Sequence, residues 1–125
     1  MPMSNVPDVA PGKRPLWIQR RDFTKDLADL VWYANTALSV EVVFAEIIRP
    51  KEMAVIYAEK GLGIINSLHC LGLAGDLLVY VNGFYQKDHQ TYETLGAKWK
   101  ELNPLNRWGG DFKRDDADHF ERRPE

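Results

Sequence analysis

The segment Ser67-Leu68-His69-Cys70-Leu71-Gly72-Leu73-Ala74-Gly75-Asp76, followed by the apolar run Leu77-Leu78-Val79-Tyr80-Val81, decides the fold of this 125-residue chain. The apolar run predicts a buried β-strand that begins near Asp76. Two glycines between His69 and Asp76 permit a turn and close backbone packing. We therefore expect both polar side chains to face one point beside the start of this strand.

A second polar cluster, Asp116-Ala117-Asp118-His119, lies near the C-terminus. Two imidazoles and one carboxylate are a set of protein ligands with which a catalytic zinc site leaves its fourth position open for water. The sequence contains no HExxH motif, so a metal ion would be bound by residues from separate segments. The spacing alone leaves two interpretations open: a metal site, or polar residues with ordinary structural roles.

Composition and charge restrict the possible classes of protein. With 45% hydrophobic residues and 4 Trp, the chain can form one domain with a core. A formal net charge of -2 gives no argument for nucleic-acid binding, since such proteins usually carry a basic face. The lone cysteine, Cys70, excludes an internal disulfide and a cysteine-rich zinc module.

The first 15 residues predict a flexible N-terminal arm, because their prolines and polar residues bury too little surface to offset the entropy of ordering. They contain no apolar stretch long enough for a signal-peptide core, and no segment of the chain approaches transmembrane length. We therefore expect no signal peptide, no stable membrane association, and a folded domain over residues 16–125.

Hydrophobic periodicity predicts the elements of that domain. Apolar positions at helical spacing indicate three helices, over residues 22–38, 51–60 and 90–102. A strand buried on both faces is expected over residues 40–48. After the strand 77–81, Asn82-Gly83 predicts a hairpin turn with a return strand at Phe84. Trp108-Gly109-Gly110 indicates a tight turn, and residues 119–121 a short edge strand.

Together the two polar clusters, Ser67-x-His69-x-x-Gly72-x-Ala74-x-Asp76 and Asp116-x-x-His119-Phe120-Glu121, resemble the paired signatures of a zinc peptidase family. That family holds bacterial D-alanyl-D-alanine carboxypeptidases and dipeptidases and the L-alanyl-D-glutamate endopeptidases used as phage endolysins. The resemblance spans residues 42–121 and is strongest to the small endolysin branch. It implies an α+β fold in a single domain, with a small antiparallel sheet flanked by about three helices, as in Hedgehog signalling domains.

Carried over residue by residue, the resemblance implies that His69, Asp76 and His119 bind one zinc ion. Asp116 is implied to be the catalytic base, because a carboxylate beside the ion can take a proton from the attacking water. Arg49 resembles the family arginine that stabilises the developing oxyanion.

Ser67 and Trp108 are the candidate substrate-binding residues. If the segment is extended, Ser67 points the same way as His69 and can touch substrate, and otherwise it satisfies backbone groups in a turn. Trp108 either forms a wall of the cleft or belongs to the core.

Other polar residues near the motifs receive no role in the site. Asp115 and Asp118 are expected to be solvated charges, and His89 a polar residue near the start of a helix. Glu121 is left unassigned.

The resemblance implies a zinc-dependent endolysin that hydrolyses the L-alanyl-D-glutamate bond of the peptidoglycan stem peptide. We expect a monomer that accumulates in the cytoplasm and reaches the cell wall through membrane lesions. One alternative is a D-alanyl-D-alanine carboxypeptidase. Another is a non-catalytic zinc-binding module, against which Asp116 argues because a structural site needs no acid beside it. A cysteine hydrolase is disfavoured, since the side chains of Cys70 and His69 would diverge in an extended segment.

Overall fold

The computed structural model of the chain describes residues 14–64 and 66–125, so most of the predicted N-terminal arm lies outside the described residues. The described part has the expected α+β class, with three α-helices around a small antiparallel sheet. Its elements are α1 (Leu16–Thr36), β1 (Glu41–Phe44), α2 (Lys51–Glu59), a 3₁₀ helix (Leu68–Leu71), β2 (Ala74–Val81), β3 (Phe84–Gln86), α3 (His89–Leu102), β4 (Asn106–Trp108), a second 3₁₀ helix (Gly109–Asp111) and β5 (His119–Arg122).

The helices begin and end close to their predicted bounds, with one exception. α1 starts at Leu16, six residues before the prediction, because Pro15 precedes its first turn and Ile18 is already buried against the domain. α3 starts at His89, where the side chain of Asp88 accepts a hydrogen bond from the backbone of Thr91. None of the helices in residues 14–64 and 66–125 has the length and apolar character needed to cross a membrane.

The sheet has the order β1-β2-β5-β4, and β3 pairs with the end of β2, beyond the residues of β2 that pair with β5. The turn between β2 and β3 confirms the predicted hairpin, since Asn82 and Gly83 have φ angles of 50° and 81°. The edge-strand prediction for residues 119–121 is wrong. β5 lies between β2 and β4, and all four of its residues are buried.

The prediction of a strand buried on both faces over residues 40–48 is also wrong. β1 covers only Glu41–Phe44 and is largely exposed, because it pairs with β2 alone and forms an edge of the sheet. Beyond it, the chain stays beside β2 through single hydrogen bonds. The backbone N–H of Ala45 donates to Asp76 O, and that of Asp76 donates to Glu46 O. These bonds hold Glu46 next to Asp76.

The core lies between α1, α3 and the inner face of the sheet. Burying each large apolar side chain contributes about 1.5–3 kcal/mol, so a cluster of a dozen fixes how these elements sit together. Alternation along β2 sends Leu77 and Val79 into this core and leaves Asp76 on the opposite face. On β5, the side chain of Phe120 likewise enters the core. The core therefore decides which polar residues of these strands face outward together.

Candidate metal centre

Asp76 and His119 are brought together by the pairing of β2 with β5. They are direct partners across the antiparallel ladder, and directly opposite side chains share one face of a sheet. The Nδ1 atom of His119 lies 3.1 Å from Oδ1 of Asp76. Glu121, two residues after His119, lies on the same face, and its Oε1 atom is 2.7 Å from Nε2 of His119. The strand pair thus supplies two of the three predicted ligands.

His69 reaches the same point from a short 3₁₀ helix. Of the two conformations considered for this segment, the structure has the turn, in which Ser67 caps the helix and its Oγ accepts a hydrogen bond of 3.2 Å from the backbone N–H of His69. The backbone N–H of Arg49 donates to His69 O at 3.1 Å. Nε2 of His69 lies 3.4 Å from Oδ1 of Asp76, so the third predicted ligand faces the other two.

The three residues His69, Asp76 and His119 fit a zinc ion. Their ligand atoms all lie within 4.8 Å of one another. A tetrahedral zinc site with bonds of about 2.0–2.2 Å separates its ligand atoms by about 3.3–3.6 Å, close to the 3.1 and 3.4 Å contacts of Asp76. Two imidazoles and one carboxylate leave a fourth position for water or substrate.

The charges of the cluster depend on one another. Burial works against ionisation of Asp76, but hydrogen bonds with His119 and His69 lower the pKa of its carboxyl to about 2. Burial likewise disfavours charge on His119, but its bonds with Asp76 and Glu121 raise its pKa to about 9. The carboxylates therefore favour a cation at this point of the structure.

Asp116 lies at the rim of this cluster. One of its carboxylate oxygens, Oδ2, is 3.9 Å from Nδ1 of His119, and its side chain is 55% exposed. The loop is held in place by backbone bonds, from Asp116 N–H to Gly109 O and from His119 N–H to Asp116 O, both at 3.0 Å. A Cβ atom at Gly109 would lie 2.1 Å from Asp116 O, so only glycine permits this approach. The carboxylate thus stays close to the ligands and open to solvent.

Trp108 lies beneath that loop and does not line the cleft. It is 4% exposed, and its indole N–H donates to Ala117 O at 2.7 Å. Its ring packs so closely on Gly96 and Gly110 that a Cβ atom at either position would come within 2.2 Å of it. Of the two places considered from the sequence, the structure gives Trp108 the one in the core, where it supports the Asp116–His119 loop.

The other acidic residues of this loop differ in their surroundings. Asp115 is exposed and its Oδ2 atom contacts Nδ1 of His89 at 2.9 Å, away from the ligands. Asp118 is only partly exposed, and burial, followed by the charges of Asp76 and Asp116, raises its pKa to about 6. Asp118 is therefore a less solvated charge than Asp115, because the loop folds back against the three predicted ligands.

Arg49 lines the same cleft and has a partner that the sequence reasoning missed. Its Nε donates to Oε1 of Glu46 at 2.8 Å, and Nη2 bonds to the same oxygen. The guanidinium lies 5.0 Å from the centre of the Tyr57 ring. The hydrogen bond with Glu46 raises the pKa of Arg49 above its usual value. The acid three residues before the arginine was the signal available in the sequence.

The three predicted ligands, together with Asp116, Arg49 and Ser67, border one cleft of about 920 Å³. Its walls also carry Arg107 and Arg114, two cations, and the exposed apolar side chains of Leu62 and Ile64. A separate apolar cavity of about 270 Å³ lies beside α1 and β1 and includes none of the ligand residues. The chemistry-bearing residues therefore share the larger, polar cleft.

Comparison with known proteins agrees with this geometry. Residues 60–122 match the sequence model of a family described as D-alanyl-D-alanine carboxypeptidase. The chain belongs to this family of M15 peptidases. The matched half contains His69, Asp76, Asp116 and His119, and membership makes the chain a metallopeptidase of peptidoglycan. The resemblance drawn from the two motifs is thereby confirmed.

A solved structure shares the fold of this M15 peptidase. The crystal structure of Serratia marcescens L-Ala D-Glu endopeptidase ChiX is similar with a TM-score of 0.62 and 20% sequence identity. The similarity covers 83% of this chain and 85% of that chain. No curated protein matches the sequence.

Proposed function

We propose that the chain is a zinc-dependent endopeptidase that hydrolyses the L-alanyl-D-glutamate bond of the peptidoglycan stem peptide and acts as a phage or prophage endolysin. The clustering of His69, Asp76 and His119 within 4.8 Å at a cleft, with Asp116 at its rim, carries the proposal. The motif details shared with the small endolysin branch support the choice of bond. D-alanyl-D-alanine carboxypeptidase activity is the second candidate, favoured by the description of the family.

The residues of the cleft divide the work of hydrolysis. Zinc bound by the three ligands would acidify a water molecule to a pKa of about 7 and polarise the scissile carbonyl. Asp116, 3.9 Å from Nδ1 of His119 and open to the cleft, takes the proton of the attacking water and later gives it to the leaving amine. Its exposure lets the carboxylate reach substrate without moving a ligand.

Arg49 and Ser67 contact the substrate in this proposal. Glu46 engages Nε and Nη2 of Arg49, so the remaining N–H groups of the guanidinium are free to donate to the oxyanion. The Ser67 hydroxyl accepts a bond from the backbone of His69 and keeps its own proton to donate to the peptide. Cationic Arg107 and Arg114 on the cleft walls suit an acidic stem peptide.

Digestion of purified peptidoglycan, with and without a chelator, tests the proposal when the new termini are identified by mass spectrometry. New N-terminal D-glutamate that disappears with the chelator is the expected product. Released D-alanine would favour the carboxypeptidase. Bound zinc without any product would favour the non-catalytic module.

Replacing Asp116 tests the role of the base. We expect Asp116→Ala to lower the rate of hydrolysis by about 10²–10⁴-fold while zinc stays bound, since the carboxylate moves a proton but is not a ligand. Asp115→Ala is the matched control, because this neighbour has a similar side-chain exposure, 53% against 55%, and bonds to His89. Loss of zinc together with activity in Asp116→Ala would contradict the assignment.

A further inference from the structure

The two ligand histidines share an arrangement that binding a metal does not by itself require. Each ring directs one nitrogen toward Oδ1 of Asp76 and its other nitrogen toward a glutamate. For His119, the outer nitrogen is Nε2, 2.7 Å from Oε1 of Glu121. For His69 it is Nδ1, 3.7 Å from Oε1 of Glu46. A carboxylate therefore faces the outer edge of both rings.

Each of these glutamates is held in turn by an arginine. The Oε2 atom of Glu121 lies 2.7 Å from Nη2 of Arg107. The Oε1 atom of Glu46 accepts hydrogen bonds from Nε and Nη2 of Arg49. Glu121 is buried, with a side-chain exposure of 10%, and Glu46 is partly buried, with 26%. A carboxylate placed between a guanidinium and an imidazole has little freedom to turn away from either.

The backbone fixes the same two glutamates relative to the ligands. Glu121 follows His119 by two residues on β5, so both side chains lie on one face of the sheet. The carbonyl of Glu46 accepts a 2.8 Å bond from the N–H of Asp76, a ligand on the adjacent strand. Two separate segments of the chain thus deliver a glutamate to the outer side of a ligand histidine.

We propose that Glu121 and Glu46 are positioning residues that orient the two imidazoles toward the metal ion, and that Arg107 and Arg49 hold the glutamates in place. The inference rests on the proposed metal-dependent function. A carboxylate that accepts the N–H of an imidazole fixes the tautomer, turns the other nitrogen's lone pair toward the metal and strengthens it as a ligand.

The two histidines differ in whether the outer nitrogen already forms a hydrogen bond with its glutamate. His119 already bonds to Glu121. Nδ1 of His69 is buried and lacks a hydrogen-bond partner among the described residues, which is costly for a buried polar atom. An approach of about 0.5–1 Å would bring Glu46 into hydrogen-bond range of this atom. Glu46 therefore acts on His69 as Glu121 acts on His119, with a weaker starting contact.

Zinc affinity, measured by competition with a chromogenic chelator, tests the proposal without substrate. Alanine at Glu121 or Glu46 removes both the acceptor and the charge, whereas glutamine keeps an amide oxygen that can accept the same hydrogen bond. We expect Glu121→Ala and Glu46→Ala to lower affinity by about 10–100-fold, the former by more, and the glutamine variants to recover part of the loss. Glu101→Ala is the control, since that side chain is 74% exposed on α3.

A purely structural role would give a different result. Urea unfolding of the metal-free variants reports folding, and the visible spectrum of bound Co²⁺ reports ligand geometry. We expect altered Co²⁺ bands in the alanine variants, with recovery in the glutamine variants. Wild-type zinc affinity in folded Glu121→Ala and Glu46→Ala would overturn the inference. So would an affinity loss that matches the stability loss and is not recovered by glutamine.

The experiment separates this inference from the proposed function. A wild-type chain that binds zinc but releases no stem-peptide product refutes the proposed hydrolysis, and the affinity ratios still decide the roles of the glutamates. A chain that cleaves peptidoglycan while all four variants bind zinc normally refutes only the positioning roles. A wild-type chain with no zinc affinity overturns both.

Discussion

The two histidines of the candidate metal centre are held by different kinds of structure. His119 lies on the central strand β5, directly opposite Asp76 in the ladder, and its outer nitrogen is 2.7 Å from Glu121. His69 lies on a four-residue 3₁₀ helix, and its outer nitrogen is 3.7 Å from Glu46. A ladder sets the face and register of every residue in it, whereas a short turn relies on a few individual bonds. The strand half of the site, formed by His119 with Glu121, therefore has a more complete set of contacts than the turn half, formed by His69 with Glu46.

Those individual bonds can be named. The 3₁₀ helix begins at the Ser67 cap and ends at Gly72, whose φ of 71° favours glycine and whose N–H donates to His69 O. The backbone N–H of Arg49 donates a further bond to the same carbonyl. Changes outside the ligand set should consequently affect the His69 half through these few contacts.

Removing each ligand histidine gives the largest expected effect. His119→Ala and His69→Ala should each lower zinc affinity by about 100-fold or more and abolish hydrolysis, because a zinc-binding free energy of about 10 kcal/mol is shared among few ligands. His119→Ala should also lower the free energy of unfolding more than His69→Ala does, since it removes the imidazole bonded to Glu121 and the nearer of the two imidazoles that contact Asp76. Metal analysis and urea unfolding measure both quantities.

The third histidine provides the control for this comparison. His89 contacts Asp115 and Glu93 outside the cluster, so His89→Ala should retain zinc and activity. Equal zinc content in His119→Ala and wild type would refute the ligand assignment. Equal destabilisation by His119→Ala and His69→Ala would remove the distinction between the two halves.

Gly109→Ala tests the loop of the strand half. Its Cβ atom would lie 2.1 Å from Asp116 O and 2.9 Å from the Cβ atom of His119, so the loop must shift. We expect a loss of about 1–3 kcal/mol in unfolding free energy. The rate of hydrolysis should fall by about 10–100-fold, because displacing a catalytic group by about 1 Å costs up to about 100-fold in rate.

A glycine remote from the cleft separates these two effects. Gly83→Ala strains the hairpin, where φ is 81°, but its Cβ atom would meet nothing within 4 Å. It should lower stability by about 1 kcal/mol and leave the rate per folded molecule unchanged. If both alanine variants lose activity only in proportion to stability, the contact between Gly109 and Asp116 has no part in placing the base.

Ser67→Ala gives the smallest expected effect and tests the turn half. Loss of the cap should lower the unfolding free energy by about 1 kcal/mol. Because this bond places His69, zinc affinity should fall several-fold. A raised KM with kcat unchanged would show that the hydroxyl also binds substrate. Thr36→Ala, which removes an exposed hydroxyl bonded to Trp32 O, is the control, and equal behaviour of the two variants would refute a role for the cap.

Local sequence signals predicted much of the fold and part of the site. Asn82-Gly83 specified the hairpin, and helical periodicity located α2 and α3 to within about a residue at each end. Position in the sheet was not predictable in this way. The segment 119–122 is short and mostly polar. β5 is nevertheless a central strand, because Phe120 enters the core and β5 pairs with both β2 and β4.

In the site, too, some residues were indicated by the sequence and others only by the tertiary structure. Residue types and spacing left a metal site and ordinary polar roles both open, and the resemblance to the zinc peptidase family then implied the roles of His69, Asp76, His119 and Asp116. Glu46 belongs to no motif quoted from the sequence, and its role as a neighbour of His69 depends on backbone bonds between distant segments. Trp108 was left with two possible places, which only packing against Gly96 distinguished.

By itself the sequence determined the types of candidate ligand, the turn-forming glycines and the apolar periodicity, because these are properties of local segments. The tertiary structure decided which distant residues lie beside the predicted ligands. Glu121 faces His119 through the alternation of a single strand, whereas Glu46 lies beside His69 only because the segment after β1 folds along β2. Long-range pairing is set by burial in a shared core, so a pattern within one segment cannot reveal it.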